Sequence, residues 1–315
     1  MVDINVWRGQ ENDAYLGLSR LAETIRAGKL SGLRKETNAA FFECLSRGTG
    51  RLPALHTLRC THGPAIGTEG AQSLSALVCG GRVPSLRNLK VNLGGIGQEG
   101  MQAFAAALGS PRVSALRRLD VLNLTRFHSA NPAAEVGILS GALSSGHLRR
   151  LEDFLVGGLG RIENVRTFCV GLGSGKLSPL RALHFWDCRF GGEGGRALSE
   201  LLVAEKLPSL RVLEAERTGL ADEGVRALAE VWMTRDPAPL QHLNFQNNAL
   251  TGAINALTGA IVNPVLRLLG SQQLPALETL SLFGNGGIDE RSRESLFATF
   301  PELIKFESLF DYSYD

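Results

Sequence analysis

Residues 210–232, LRVLEAERTGLADEGVRALAEVW, change their hydrophobic period part-way along. Leu210, Leu213 and Ala215 stand among polar residues in the period-2 manner of a short strand. Thr218 and Leu220 form a tight turn off that strand, and Val225, Leu228, Ala229 and Trp232 then recur at the spacing of one helix face. The stretch predicts a strand–loop–helix unit, bracketed by Pro208 and by Pro237 and Pro239. The strand pattern Leu-x-x-Leu-x-apolar recurs at Leu55/Leu58/Cys60, Leu86/Leu89/Val91, Leu116/Leu119/Val121 and Leu180/Leu183/Phe185. It continues at Leu240/Leu243/Phe245 and Leu277/Leu280/Leu282, with a weaker copy at Leu148/Leu151/Asp153. The first leucines (55, 86, 116, 148, 180, 210, 240 and 277) step by 31, 30, 32, 32, 30, 30 and 37 residues. A step in this range predicts a stacked repeat architecture, because one unit cannot bury its own apolar face.

The helical half repeats too: Thr68-Glu69-Gly70-Ala71, Gln98-Glu99-Gly100-Met101 and Gly192-Glu193-Gly194-Gly195. An acidic residue there is expected to offset the unpaired amides of a helix start. Gly80-Gly81-Arg82 and Gly173-Ser174-Gly175-Lys176 are expected as left-handed helix exits. The pattern divides the chain into a helical cap with a degenerate repeat (1–51), the repeats (52–288), and a C-terminal cap with an acidic, aromatic tail (289–315). Within the caps, 18–25, 39–45 and 291–300 are helix candidates. Two irregularities stand out. Asp153 occupies an apolar place, so a register shift that buries Phe154 instead is an open alternative. The seventh unit is longer than its siblings around Val262–Leu266, where Pro264 predicts a second short helix or a loop.

Composition narrows the function classes. A net charge of +2 over 315 residues gives no general attraction to nucleic acid or to an anionic membrane. No apolar run approaches the roughly 20 residues of a membrane span. The N-terminus, MVDINVWRGQENDAY, lacks the apolar stretch of a secretory signal. Five cysteines (44, 60, 79, 169 and 188), without CxxC spacing, argue against a disulfide framework or a structural zinc site. An intracellular, most simply cytoplasmic, setting is expected.

Leu240-Gln-His-Leu243-Asn-Phe245-Gln-Asn-Asn248-Ala-Leu250 resembles the leucine-rich-repeat signature almost letter for letter, and Leu180–Phe190, with Cys188 at the Asn/Cys place, does so nearly as well. The step and the Glu-Gly helix starts resemble the ribonuclease-inhibitor-like subclass over roughly residues 52–300. The resemblance implies an α/β leucine-rich-repeat solenoid of about eight repeats plus caps. It would be a horseshoe with a parallel sheet on the concave side and helices on the convex side. The Asn/Cys place holds Gly63, Gly94, Leu124 and Val156 in the first four units, so a polar ladder is not expected there.

No G-x-x-x-x-G-K-[ST], H-E-x-x-H or G-x-S-x-G motif is present, and Gly171–Lys176 reads as a helix exit rather than a phosphate loop. Cys60 and Cys188 fall on core places. His184 and His242 lie two rungs apart, too far for a chelate at about 4.8 Å per rung. No catalytic residue, cofactor or metal is expected. What remains is the concave face. Its fifth places are Arg59, Lys90, Asp120, Glu152, His184, Glu214, Asn244 and Ser281, and its seventh places include Asn92, Leu122, Phe154, Trp186, Glu216, Gln246 and Phe283. Arg118, Arg150 and His242 fall on third places, and Asp187, Arg217 and Asn247 on eighth places. The face should begin basic, turn acidic, and end neutral, with an apolar column Leu122–Phe154–Trp186. Exposed aromatics rimmed by charge suit a contact surface.

The expected function is a non-catalytic protein-binding module or scaffold. Its contact residues would be Phe154, Trp186, Asp187, Glu214, Glu216, Arg217, Arg118 and Lys90. A structural subunit of a large multiprotein assembly is the first alternative. A regulator of a small GTPase is the second, because Ran GTPase-activating proteins resemble this repeat subclass.

Overall fold

A computed structural model describes residues 2–5, 51–60, 65–124, 131–251, 265, 268–269 and 273–306. The helix candidates at 18–25 and 39–45, the tail beyond 306, and most of the insertion around 262–266 lie outside the described residues. Within that insertion, Val265, Leu268 and Leu269 are helical and buried. The chain forms two compact units, Met1–Leu159 with Val170–Leu177, and Gly160–Cys169 with Ser178–Asp315.

In the first unit, strands β1 (Val2–Asn5), β2 (Leu55–Cys60), β3 (Asn88–Asn92), β4 (Arg118–Leu122) and β5 (Asp153–Gly157) run parallel, each beside the next. Helices α1 (Gly67–Cys79), α2 (Gly97–Leu108) and α3 (Pro132–Leu143) return the chain between strands and pack side by side. Leu58, Leu89 and Leu119 stand in register across β2, β3 and β4, fully or nearly fully buried. Alternate strand residues point into this layer with the apolar stripes of the helices, so each repeat completes the core of its neighbour.

The second unit repeats the plan. Helix α4 (Ile162–Leu172) precedes β6 (Ala182–Trp186), α5 (Gly191–Leu201), β7 (Val212–Glu216), α6 (Ala221–Trp232) and β8 (His242–Asn244). Strands β9 (Thr279–Ser281) and β10 (Ile304–Lys305) extend the parallel run, with α7 (Glu290–Thr299) between them. Its core is partly aromatic: the Phe185 ring meets Phe190 at 5.0 Å and Phe168 at 6.3 Å, both edge-on. Asp289 accepts a hydrogen bond from the Ser292 amide at 2.9 Å and caps α7, which runs one residue ahead of the 291–300 candidate.

The register of the fourth repeat departs from the leucine pattern. Leu119 lies opposite Phe154, and Val121 opposite Val156. The core places are therefore Leu151, Phe154 and Val156, three residues beyond Leu148/Leu151/Asp153. An odd slip exchanges the two faces of a strand. Phe154 is 0% exposed and belongs to the core, which removes it from the contact surface and removes the column Leu122–Phe154–Trp186. Gly157 takes the seventh place, Leu155 replaces Glu152 at the fifth, Asp153 replaces Arg150 at the third, and Leu159 replaces Val156 at the Asn/Cys place. Burying Asp153 would cost several kcal/mol, whereas the slip buries a phenyl ring and leaves the carboxylate at the surface.

The expected acidic residues lie in the first helical turns, Glu69 in α1, Glu99 in α2, Glu193 in α5, and Asp222 and Glu223 in α6. Ile66, Ile96, Phe190 and Leu220 occupy the N-cap positions, and no side chain there caps the first turn. The glycine after each acidic residue has a steric reason. A Cβ on Gly100 would lie 2.5 Å from the Ile96 side chain, one on Gly194 3.0 Å from Phe190 Cβ, and one on Gly224 2.4 Å from Leu220 Cδ1. Each glycine makes room for the buried apolar residue one turn before it. The exit glycines behave as expected: Gly81 and Gly175 have φ of +65° and +74°.

Loop backbones are satisfied differently along the chain. In the first unit Leu93 N donates to Leu122 O at 2.9 Å, and Leu124 N to Gly157 O at 3.0 Å. In the second unit a polar ladder joins such bonds. Asn248 Oδ1 accepts from the amides of Thr218 (3.0 Å) and Leu220 (3.1 Å), and Asn285 Oδ1 from those of Asn248 (2.9 Å) and Leu250 (3.1 Å).

Candidate interaction faces

Strand residues that do not enter the core form an outward face in each unit. In the first unit this face is a closed charge network. Asp120, only 2% exposed, receives Arg118 Nε at 3.0 Å and faces Lys90 Nζ at 3.8 Å. Arg118 also meets Asp153 at 3.1 Å across β4 and β5. Two cations and two carboxylates balance, so Lys90 and Arg118 are brought together as counter-ions of Asp120 rather than as a basic patch. Arg118 remains exposed and Lys90 half-buried. Burying the carboxylate costs free energy that the two cations offset, so the network holds neighbouring rungs in register more than it adds stability.

In the second unit the face is larger and more mixed. Trp186 stands half-buried at the end of β6, in register with Glu216 of β7. One step back, His184 Nδ1 meets a Glu214 carboxylate oxygen at 2.8 Å, also across β6 and β7. Glu216 accepts a 3.4 Å hydrogen bond from Asn247 Nδ2. Asp187 is half-buried and Arg217 exposed. The residues Trp186, Asp187, Glu214, Glu216 and Arg217 thus share one surface.

Asp187 and Arg217 have a second reason to be where they are. Their φ angles are +50° and +53°, and the eighth places of Asn123 (+54°), Asn247 (+55°), Gly158 (+77°) and Gly284 (+72°) match them. The chain turns through the left-handed region after each of these strands, a conformation that suits Gly, Asn and Asp. Among these six positions only Arg217 is not Gly, Asn or Asp. Its strain, of about 1–2 kcal/mol, is borne by the framework.

The polar end of the face is closed. Asn244 is 5% exposed, and Gln246 and Ser281 are 0% exposed. Gln246 Nε2 donates to Ser281 Oγ at 2.8 Å, and Asn244 Oδ1 accepts from the Gln246 amide at 2.9 Å. Asn92, expected on the face of the first unit, is likewise turned to its own backbone and accepts from the Gly94 amide at 3.1 Å. Beside Asn244 lies a hollow of about 210 Å³, lined by Val212, Leu213, Glu214, His242, Leu243 and Thr279.

The buried thiols of Cys60 and Cys169 are inert at neutral pH. Burial pushes Cys60 up beyond the usual range, and burial, with a smaller contribution from Cys188, pushes Cys169 up to about 12. Among the described residues no group of three His, Cys, Asp or Glu side chains is placed to hold a metal, and no helix is long and apolar enough to cross a membrane.

Comparison with known proteins bears on the same segment of the second unit. Residues 176–199 match a family model described as Leucine Rich repeat. They span the approach to β6, the strand itself and most of α5. Residues 176–199 are a leucine-rich repeat. Their strand–loop–helix build is shared along the chain, and the fold is an α/β leucine-rich-repeat solenoid. Among solved structures the chain is similar to a protein from Bacteroides fragilis. The identity is 12%, the TM-score 0.44, and the match covers 95% of this chain and 84% of the other. No curated protein matches the chain.

Proposed function

We propose that this leucine-rich-repeat chain is a non-catalytic module that binds a protein partner through the outward strand face of its second unit. The observation that carries the reading is Trp186, a large ring left half-buried at a strand end and bordered by Asp187, Glu216 and Arg217. A ring so placed gains by leaving water, and flanking charges set the orientation of a partner. The step of about 30 residues and the helical second half of each repeat support the ribonuclease-inhibitor-like subclass. The five cysteines, odd in number and without CxxC spacing, support an intracellular setting.

The test is copurification with the tagged chain, identification of partners by mass spectrometry, and capture by Trp186→Ala and Glu214→Lys. Either change should weaken capture about tenfold or more while the melting temperature stays within a few degrees. Unchanged capture by both would remove the strand face from the reading. A second reading, a subunit of a larger assembly, is favoured by exposed apolar residues away from the strands, Val170 and Met233. Native extracts separate the two, since an assembly subunit elutes wholly at high mass.

A further inference from the structure

The loops that lead into the strands of the first unit carry a band of cations that outnumbers its carboxylates. His56, Arg87, Arg117 and Glu152 form one column at the strand starts, because each of the last three donates its amide to the carbonyl of the one before, at 2.8, 2.7 and 2.8 Å. A second column lies in the loops just ahead of it. Leu52 N donates to Arg82 O at 2.7 Å, which sets Arg51 beside Arg82. A Cβ on Gly81 would lie 3.0 Å from Arg112 Nη1, so the Arg112 head group rests against the helix exit of the repeat before it. Lys176 lies likewise against Gly146, its Cδ 3.7 Å from a Cβ built there. Part of the band is structural: Arg117 pairs with Glu152, and Arg149 Nε donates to Gly146 O at 3.2 Å. Arg51, Arg87, Arg112, Arg150 and Lys176 are exposed, and among the described residues they meet no carboxylate. The carboxylates over 51–159 are placed elsewhere. Asp120 and Glu135 are buried, Glu152 and Asp153 pair with arginines, and Glu69 and Glu99 stand at helix starts, beyond the opposite ends of the strands.

These cations do not serve the helix ends they stand beside. The exit of α1 is closed by the amides of Gly80, Gly81 and Arg82, bonded to the carbonyls of Ala76, Val78 and Leu77, and the exit of α2 by Gly109 N on Ala105 O. The last turns of α1, α2 and α3, where a helix dipole draws a cation most strongly, contain no basic residue. Like charges on neighbouring rungs, about 4.8 Å apart, raise the free energy of the folded chain. A band that carries this cost and lacks a counter-charge among the described residues is complementary to an anion from outside. We propose that this strand-start rim of the first unit binds an acidic, carboxylate-rich segment of a protein. From β2 to β5 the rim covers three rung steps, about 14 Å, the length of about four extended residues. Glu152 interrupts the column, which suits discrete carboxylates and opposes the unbroken phosphates of a nucleic acid. The net charge of +2 over the whole chain does not show this band, because the charges are segregated along the repeats. Trp186 belongs to the other unit, and the two surfaces are tested separately.

The experiment titrates the full chain into two fluorescently labelled, capped peptides, one of alternating Glu and Asp and one of alternating Gln and Asn, and reads anisotropy. The acidic peptide should bind, and raising salt from about 50 to about 300 mM should weaken it about tenfold, because exposed charges are screened. The amide peptide should bind at least about tenfold more weakly. Arg87→Gln, Arg112→Gln and Lys176→Gln combined should weaken the acidic peptide about tenfold, at about twofold to threefold for each exposed charge, with the melting temperature unchanged. Arg226→Gln, which removes an exposed cation from α6 of the second unit, is the control and should leave the affinity as it was. Absence of binding up to about 1 mM chain, equal binding of the two peptides, or a triple variant that binds as tightly as the native chain would overturn the proposal. A single-stranded oligonucleotide of matched length that binds more tightly than the acidic peptide, and is lost in the triple variant, would also overturn it, since the rim would then select phosphates. Trp186→Ala should leave the acidic peptide's affinity unchanged, so failure of either surface is read without the other.

Discussion

Asn248→Ala is the sharpest test of how the second unit is held together. Asn248 is 1% exposed, and its side chain reaches five partners. Oδ1 accepts from the amides of Thr218 (3.0 Å) and Leu220 (3.1 Å) and lies 2.8 Å from Thr218 Oγ1. Nδ2 donates to the carbonyls of Ala215 (2.5 Å) and Gln246 (3.1 Å). Truncation treats these partners unequally. The Ala215 carbonyl keeps Thr218 Oγ1 at 3.1 Å, and the Gln246 carbonyl keeps the Arg217 amide at 3.2 Å. The amides of Thr218 and Leu220 have no such reserve and lie in buried residues. Two orphaned donors at about 1–3 kcal/mol each give about 2–6 kcal/mol. Partial relaxation and a water in the vacated space reduce this toward about 3 kcal/mol. Urea unfolding, followed by tryptophan emission because Trp186 and Trp232 both report on this unit, should show the midpoint falling by about 1–2 M. Gln241→Ala, which breaks one exposed hydrogen bond to Glu278, is the control and should cost under about 0.5 kcal/mol. A loss below about 1 kcal/mol for Asn248→Ala would show that the ladder is redundant with the backbone bonds of the same loops.

Two further outcomes follow from packing and burial. A Cβ on Gly195 would lie 2.4 Å from Gly224 Cα, backbone that cannot swing away. Gly195→Ala should therefore lower stability by about 1–3 kcal/mol in thermal melts, despite a helix-propensity gain of about 1 kcal/mol, and a rise in melting temperature would contradict this contact. Among Cys60, Cys79 and Cys169, iodoacetamide at neutral pH should label Cys79 alone in the native protein, because burial raises the other two thiols far above the working pH. Peptide mapping that finds Cys169 labelled at a comparable rate would show that this core opens locally.

The repeat was legible because its period is enforced at every rung, so one weak copy hardly disturbs the count. The register of that weak copy was not legible from leucines, since Leu148 and Leu151 fit the template better than Phe154 does. What decided it was Asp153, whose carboxylate has Arg118 as a partner on the surface and would have had none in the core. The outward places were likewise readable from alternation, but not which of them stay in reach of a partner. Parallel strands stand only about 4.8 Å apart, so each outward side chain is screened by those on the rungs beside it. Length then decides. Asn92, Asp120, Asn244 and Ser281 end below their neighbours and are buried, and Gln246 joins them by bonding to Ser281. Arg118, Trp186, Glu214, Glu216 and Arg217 extend past them and remain at least partly exposed. A partner that meets these faces therefore touches a subset selected by side-chain length rather than the full set of outward places. Substitutions of the short polar residues should act through stability, and substitutions of the long ones through binding.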